Sequence, residues 1–316
     1  MRDMLGTALL YSSHNRSNYL HDHFIVQRAL HGRENKRILF LPMSAPPRGH
    51  DELERQEYEW GTFRWFFNFY EKYGLEAVPF FWTSNLRHED LELFWHHLWS
   101  SEVVILGGGN SRTGMWRYKH LGHRYDGEWG KMGRILHERQ RRGLLTVGFS
   151  AGADQLSEHL FSHATAPGVD TDGFGLARNV IVKMHHDASG NGELAEAAHA
   201  LRDCMAFGLP NDSGLFIDQG VLPSGNHWQV IEFVIDASWD LPNDQFHIKT
   251  RHGGKIEHID WTGRHWAFNG GERLVRVQSG DGRFHEAWLD KGDRLIHFWS
   301  GQPSSYPSIE HVLAAH

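Results

Sequence analysis

LLTVGFSAGADQL, residues 144–156, predicts a strand, a tight turn and a helix in direct succession. Leu144 to Val147 are apolar or β-branched, which favours a short buried strand. Gly148-Phe149-Ser150-Ala151-Gly152 fits the pattern G-x-S-x-G, and residues 151–160 favour a helix. This order is typical of a nucleophile elbow that presents Ser150 at its tip.

The small residues around Ser150 suit acyl-transfer chemistry. Gly148 and Gly152 leave room where the strand and the helix nearly touch. The N–H of Ala151 can point at the oxyanion that develops when a serine attacks a carbonyl group. The pattern also occurs in turns whose serine has no catalytic role, so by itself it leaves both interpretations open.

Strands and helices alternate through most of the chain. We predict strands at 5–13, 37–44, 75–82, 102–106, 179–184 and 215–217, and helices at 19–30, 53–73, 88–99, 129–142 and 193–204. The alternation favours an α/β fold with a mostly parallel sheet flanked by helices. Gly107-Gly108-Gly109-Asn110 follows a strand, as Ser150 does, so we expect both at the carboxyl edge of the sheet, where ligands bind in such folds.

The character of the sequence changes near residue 225. Short alternating runs separated by Gly, Asn or Asp follow, such as WQVIEFVID at 228–236, QFHIKT at 245–250 and RLIHFW at 294–299. Such runs predict antiparallel strands. We therefore expect an α/β domain over 1–225 and a C-terminal antiparallel β-rich extension over 226–316.

The composition excludes several classes of protein. The 316 residues are 40% hydrophobic and 22% charged, which is typical of a soluble globular protein. A net charge of −7 without a basic patch argues against a nucleic-acid partner, and no apolar run is long enough to span a membrane. The single cysteine, Cys204, excludes an intrachain disulfide and a zinc cluster. We expect a cytoplasmic protein without a cofactor.

Two local groups of residues, one aromatic and one rich in histidine, suggest other functions. The helix predicted at 53–73 is rich in Trp and Phe, which favours a place in the core or a homodimer face. His185-His186-Asp187 follows a predicted strand and offers metal-binding groups. Adjacent side chains rarely converge on one ion, so no metal site is expected.

Four segments, in the same order, resemble the dipeptidase E / cyanophycinase family of serine peptidases. The segments are ILFLPMSAPP (Ile38–Pro47), VVILGGGNS (Val103–Ser111), VGFSAGAD (Val147–Asp154) and GFGLARNVIVKMHHD (Gly173–Asp187). The glycine turn and the serine elbow together are far more specific than G-x-S-x-G alone. The resemblance extends over roughly residues 36–225 and implies a class I glutamine-amidotransferase-like fold.

The resemblance implies a nucleophile and a base. Ser150 would be the nucleophile, and His185 would be the general base that takes its proton. His186 competes for the role of base. The side chains of adjacent strand residues point to opposite faces, so only one of the two rings can reach the serine.

The resemblance also implies an oxyanion hole and a substrate pocket. The N–H groups of Ala151 and of Gly108 or Gly109 would bind the oxyanion, and Asn110 would help to shape the pocket. Where cyanophycinase has Asp-Gln before its histidine, this chain has Lys183-Met184, so an acidic arginine-binding site is not expected. Lys183 can instead pair with a substrate carboxylate, or it is simply an exposed lysine on a strand.

This sequence differs from the family pattern at the position of the residue that orients the histidine. The family places a glutamate in a segment like G-I-G-I-D-E, and residues 214–219 here are GLFIDQ. Gln219 would accept the imidazole N–H through its carbonyl oxygen, without stabilising the imidazolium by charge. Asp218, Asp187 and Asp212 are the other candidates for this role.

These observations favour an intracellular serine exopeptidase, similar to a dipeptidase, that hydrolyses short or modified peptides, including peptides with an acidic residue. The alternative that Gln219 favours is a weakened or inactive family member that acts as a binding or regulatory protein. An esterase of the α/β-hydrolase kind is disfavoured. That fold places an acid and then a histidine after the serine, whereas His185 follows Ser150 by only 35 residues.

Overall fold

The computed structural model of the chain describes residues 3–12, 21–27, 36–161, 164–165, 170, 172–235, 254–278, 284 and 286–316. Its strands are β1 (Asp3–Tyr11), β2 (Arg37–Leu41), β3 (Glu76–Pro79), β4 (Val103–Leu106), β5 (Leu145–Phe149), β6 (Val180–Met184), β7 (Met205–Leu209), β8 (Ser213–Val221), β9 (His227–Ile235), β10 (Ile256–Ile259), β11 (His265–Phe268), β12 (Arg273–Val277), β13 (Glu286–Asp290) and β14 (Leu295–His297). Its helices are α1 (Glu54–Glu71), α2 (His88–Ser100), α3 (Ser111–Asp126), α4 (Lys131–Arg141), α5 (Ala151–Leu156), α6 (Asn191–Ala200) and α7 (Ile309–Ala315). A π-helical turn spans His21–Val26, and a 3-10 turn spans Ala188–Gly190.

The large sheet contains a parallel half and an antiparallel half. Its strand order is β14-β13-β12-β9-β8-β1-β5-β4-β2-β3. The strands from β1 to β3 in this order pair in parallel, and β8 pairs antiparallel with β1. The expected α/β architecture, with a largely parallel sheet flanked by helices and antiparallel strands beyond it, is confirmed.

A second sheet, in the order β11-β10-β7-β6, packs on the large one. β6 and β7 are parallel, with Met184 opposite Leu209, so both strands end at the same edge. Phe233 of the large sheet stacks on Phe268 of the second, with ring centroids 3.9 Å apart. Ser12, just beyond β1, donates its hydroxyl to Leu209 O at 3.1 Å. The strand ends of the two sheets are therefore held together at one edge.

Helices cover both faces of the parallel half. Phe94 of α2, Tyr118 of α3 and Leu136 of α4 belong to the core on one face, and Trp60 of α1 packs on the other. α6 covers the outer face of the second sheet, and α7 packs on β9, β12 and β13. Among the described residues, no helix has the length and apolar composition that crossing a bilayer requires.

The strands beyond residue 226 join both sheets. β9, β12, β13 and β14 continue the large sheet, whereas β10 and β11 belong to the second. The strands predicted within 228–236 and 294–299 are confirmed. The run at 245–250 and part of the helix predicted at 19–30 lie outside the described residues. β8 and β9 pair across the expected boundary, and the division into two domains at residue 225 stays a prediction.

α3 is a helix that the sequence patterns did not predict. It contains Gly114 and Gly122, and glycine disfavours helix interiors. A Cβ at Gly114 would lie 2.1 Å from Gln155 Nε2, and one at Gly122 would lie 2.2 Å from Glu128 O. Close packing of α3 on its neighbours therefore requires both glycines, and it outweighs their low helix propensity.

Candidate active site

The elbow around Ser150 has the predicted geometry. Ser150 lies between β5 and α5 with φ 50° and ψ −113°, a conformation that is strained for a residue with a Cβ. A Cβ at Gly148 would lie 2.4 Å from the backbone of Gly152 and Ala153, and one at Gly152 would lie 2.2 Å from Leu106 O. Both glycines are therefore needed for the strand and the helix to approach. The helix ends at residue 156 and not at 160 as the sequence predicted.

His185 reaches the serine. Its Nε2 is 3.0 Å from Ser150 Oγ. The backbone of each residue is held by the end of β1, because Ser150 N donates to Tyr11 O at 2.8 Å and His185 N donates to Ser12 Oγ at 2.9 Å. His185 also has a positive φ of 52°. The two side chains thus meet at the carboxyl edge of both sheets.

Asn211 orients the imidazole from its other side. Asn211 Oδ1 is 2.5 Å from His185 Nδ1, and the asparagine is only 6% exposed. With Oδ1 as the acceptor, Nδ1 carries the ring proton, and Nε2 can accept the proton of Ser150 Oγ. Asn211 lies between β7 and β8, directly after the strand that pairs in parallel with β6. The structure therefore brings Ser150, His185 and Asn211 into one hydrogen-bonded relay.

Gln219 does not contact His185, which corrects the prediction that it orients the ring. Gln219 lies near the far end of β8, where its Nε2 donates to Leu176 O at 2.7 Å and its Oε1 accepts from Gln229 Nε2 at 2.9 Å. The reason is strand direction. β8 runs antiparallel to β1, so its carboxyl end lies at the edge opposite Ser150.

Asp218 and Asp187, two of the aspartates considered for the same role, bond other groups. Asp218 accepts a hydrogen bond from Thr7 Oγ1 of β1. Asp187 accepts from Ser189 N at 2.9 Å and caps the 3-10 turn. Asp212, which follows Asn211, is buried with φ 57°.

His186 points away from the serine. Its Nε2 lies 2.9 Å from Glu257 Oε2 and 2.9 Å from Asn191 Oδ1, and the residue is buried against β7 and β10 of the second sheet. The two adjacent rings are therefore directed to different partners, although His185 lies beyond the end of β6 and has a positive φ. Of the pair, His185 alone has the geometry of a base for Ser150.

The glycine turn lies beside the serine. A Cβ at Gly108 would lie 3.5 Å from Ser150 Cβ. Gly109 has φ 131°, and a Cβ there would lie 2.1 Å from Ser44 O, so the turn requires glycine. Asn110 caps α3, because its Oδ1 accepts from Thr113 N at 2.9 Å. Its side chain is thus occupied in holding the helix that follows the turn.

Lys183 is already paired. Its Nζ lies 2.6 Å from Glu193 Oε2, and its side chain is only 15% exposed. The ammonium group also lies 5.8 Å from the ring centroid of Phe161. These contacts direct Lys183 toward α6 and compete with any substrate carboxylate for its charge.

Metal-ligating side chains do not cluster in the described part of the chain. No group of three His, Cys, Asp or Glu residues is arranged there to hold an ion. His185 and His186 diverge, so the His-His-Asp sequence does not form a chelate.

Asn211 and Ser12 are the site residues that sequence reasoning missed. A positional signal for both was present, since each lies within two residues of the end of a strand that ends at the same edge as β5 and β6. The sequence also repeats the pattern of an apolar strand followed by a polar residue at Phe207-Gly208-Leu209-Pro210-Asn211, one strand before Gln219.

Comparison with known proteins identifies the family and supports the fold. The model of peptidase family S51 matches residues 8–222. Among solved structures, the crystal structure of a peptidase from an acI-B1 Actinobacterium has a TM-score of 0.56 and 17% sequence identity, covering 86% of this chain and 98% of that one; at this identity the likeness shows the fold. A comparison with curated protein sequences gave no match. Because the family match covers more than half of the chain, and confirms the resemblance carried by the glycine turn and the serine elbow, the chain belongs to peptidase family S51 and is a serine peptidase.

Proposed function

We propose that this peptidase is an exopeptidase that cleaves short or modified peptides, with Ser150 as nucleophile, His185 as general base and Asn211 as the residue that orients the base. The observation that carries the proposal is the continuous relay, 3.0 Å from Ser150 Oγ to His185 Nε2 and 2.5 Å from His185 Nδ1 to Asn211 Oδ1. Both distances are within hydrogen-bonding range.

The relay defines the proton path. Ser150 Oγ attacks the scissile carbonyl carbon while His185 Nε2 takes the hydroxyl proton. The same nitrogen then gives the proton to the leaving amine, which breaks the peptide bond and leaves an acyl-serine. A water molecule, deprotonated by His185, attacks the acyl group and releases the acid.

The oxyanion of the tetrahedral intermediate would be bound by N–H groups on two segments. Ala151 is the first residue of α5, where the helix leaves its N–H without an intrahelical partner. Gly108 and Gly109 supply N–H groups on the other side, close to Ser150. Such donors contribute roughly 2.7–4 kcal/mol each to transition-state binding in serine proteases.

Asn211 fixes the tautomer without adding a charge. A neutral amide holds the ring as a carboxylate does, but it stabilises the imidazolium less. Cys-His-Asn relays in papain-like proteases show that an asparagine is compatible with peptidase chemistry. We therefore propose a working enzyme whose rate is lower than that of a relay with an acid at this position.

The substrate preference is the second part of the proposal. Preference for an acidic residue rested on Lys183, whose charge is met by Glu193, so Lys183 lends it little support. The proposal is therefore a dipeptidase-like activity on small peptides. A panel of dipeptide substrates would measure the side-chain preference.

The test is release of amino acids from a dipeptide panel that pairs N-terminal Asp with Asn and other neutral residues. Wild type should hydrolyse some members, and Ser150→Ala and His185→Ala should each lose at least about 10³-fold in kcat/KM. Asn211→Ala should lose roughly 10- to 100-fold, because the ring loses its orienting partner. Ser224→Ala, in the exposed turn between β8 and β9, is the matched control and should match wild type.

Each outcome has a meaning. Undiminished cleavage by Ser150→Ala would refute the nucleophile. Failure of wild type to cleave any peptide, together with stoichiometric labelling of Ser150 by a fluorophosphonate, would replace the exopeptidase by a binding protein that keeps a reactive serine.

A further inference from the structure

Asp154 is a buried carboxylic acid one helical turn beyond Ser150. It is 5% exposed, and its N–H donates to Ser150 O at 3.1 Å. Its Oδ1 accepts from Phe161 N at 2.7 Å, and the Ser111 hydroxyl donates to the same carboxyl group. α5 is short, so this single side chain ties the serine helix to the first residue of α3 and to the segment that leaves α5.

The next residue of α5, Gln155, also contacts the segment that follows the glycine turn. Gln155 Nε2 donates to Ser111 O at 2.9 Å and to Ser44 Oγ at 2.8 Å. Ser44 O in turn accepts from Asn110 N at 2.7 Å. Asp154 and Gln155 together connect the serine helix to Ser111 and, through Ser44, to Asn110, at the carboxyl side of the turn that contains Gly108.

Burial of the Asp154 carboxyl group disfavours its charged form and so costs free energy of folding. Burial raises the pKa of Asp154 to about 6, and the groups that face it are neutral: the Ser111 hydroxyl from α3 and the Phe161 N–H from the segment after α5. No charged side chain of the described residues contributes to this pKa. A neutral side chain would make the same hydrogen bonds at a smaller desolvation cost. An uncompensated buried acid beside a reactive serine is typical of a functional role.

We infer that Asp154 is a positioning residue of the peptidase, which holds the glycine turn before α3 at a fixed distance from Ser150 at the start of α5. This inference rests on the proposed function, because the oxyanion must meet donors from both segments at once. A shift of the turn by about 1 Å would weaken hydrogen bonds to the transition state more than contacts with the bound peptide. Loss of Asp154 should therefore lower kcat and leave KM nearly unchanged.

The experiment is a double-mutant cycle on a peptide that wild type cleaves and Ser150→Ala does not. Asp154→Ala should lower kcat roughly 10- to 100-fold with KM within about twofold of wild type. Ser111→Ala should lower kcat about 10-fold, and the double variant should be no slower than Asp154→Ala, because both changes break one connection. Phosphonylation of Ser150 by a fluorophosphonate should slow in the same proportion.

A conservative variant and a matched control separate positioning from general loss of stability. Asp154→Asn should recover kcat to within about threefold of wild type, since its amide can bond both Phe161 N and the Ser111 hydroxyl. Gln229→Ala removes an equally buried polar side chain at the opposite end of β8 and should keep the wild-type kcat at a temperature well below its melting point.

Three results would overturn the inference while the proposed function stands. They are a wild-type kcat for Asp154→Ala, effects of Asp154→Ala and Ser111→Ala that multiply in the double variant, or an equal loss of kcat in Gln229→Ala. If Asp154→Ala does not fold, Ser111→Ala alone decides, because an unchanged kcat there contradicts the connection. Absence of any wild-type cleavage would instead refute the proposed function.

Discussion

The two ends of β8 both bury polar side chains, and they use them differently. At the first end, which we call the site end, Asn211 bonds the ring of His185, and that ring bonds Ser150. At the opposite end, which we call the far end, Gln219, Gln229 and Arg276 bond one another and the backbone carbonyls of residues 176, 178 and 179. Side chains at the site end meet side chains that react, whereas those at the far end satisfy backbone groups.

Backbone strain follows the same division. Ser150, His185 and Asp212, at the site end, have φ values of 50°, 52° and 57°. Asn179, at the far end, has φ 52°, but asparagine adopts this conformation more readily than serine. The comparison teaches that the site end directs its side chains to the reacting groups. The far end instead uses a buried arginine to bond backbone carbonyls, and burial lowers the pKa of Arg276 to about 9.

The largest change in stability is expected when Arg276 is removed from the far end. Arg276→Ala removes the donor to Gln229 Oε1 and opens a cavity, while the carbonyls of residues 178 and 179 each lose one donor and keep another. We expect the free energy of unfolding to fall by about 3–5 kcal/mol, because a large buried side chain is lost and an amide oxygen loses its donor. Urea denaturation measures the loss, and active-site titration should give an unchanged kcat per folded molecule. A kcat that fell with stability would remove the distinction between the two ends.

A pH series measures the free energy cost of burying the Asp154 carboxyl group at the site end. The pKa of Asp154 is raised from 3.8 to about 6 in the folded protein, so between these pH values the folded state binds more protons than the unfolded state. The contribution of Asp154 to the stability of wild type should therefore fall as pH rises from about 4 to 6 and stay low above 6. Asp154→Asn lacks this loss.

The advantage of Asp154→Asn over wild type should thus grow with pH, reaching at most about 3 kcal/mol near pH 7. Melting temperatures of both proteins at pH 4, 5, 6 and 7 measure it. A constant difference across the series would show that Asp154 carries no uncompensated cost.

The elbow and the glycine turn could be predicted because their information is local. Gly148, Ser150 and Gly152 stand within five residues, and the close contact that demands Gly148 is with Gly152 and Ala153 of the same segment. The same holds for the strand that precedes His185. Alternation of strands and helices then sufficed to place these segments at one edge of the sheet.

The orienting residue could not be predicted because its position depends on strand direction. Gln219 and Asn211 each follow an apolar run, but Gln219 lies on a strand antiparallel to β1, and Asn211 follows one parallel to β6. Sequence patterns report that a segment is a strand and not which way it runs in the sheet. Only the pairing of β7 with β6 brings Asn211 to His185.

A substitution at Gln219 sharpens this point. Gln219→Glu would be expected to restore activity if the residue oriented His185. In the structure it places a carboxylate oxygen against Leu176 O, where the amide now donates. We expect a loss of about 2 kcal/mol in the free energy of unfolding and no gain in kcat. Gln219→Met, which removes the polar groups without adding charge, is the control, and a rise in kcat for the glutamate variant alone would contradict the relay through Asn211.

The smallest change in stability is expected from a substitution at Ser150. Ser150→Gly removes the Cβ from a residue with φ 50° and ψ −113°, which relieves about 1–3 kcal/mol of strain. Glycine also adds about 0.5–1 kcal/mol of entropy to the unfolded chain, so a net gain of about 1 kcal/mol in stability remains. Ser150→Ala keeps the Cβ and should show no gain, although both variants lose the nucleophile. Thermal and urea unfolding of the pair measure the difference. Equal stability of the two would mean that the elbow stores no strain, and that the site end differs from the far end in its hydrogen bonds only.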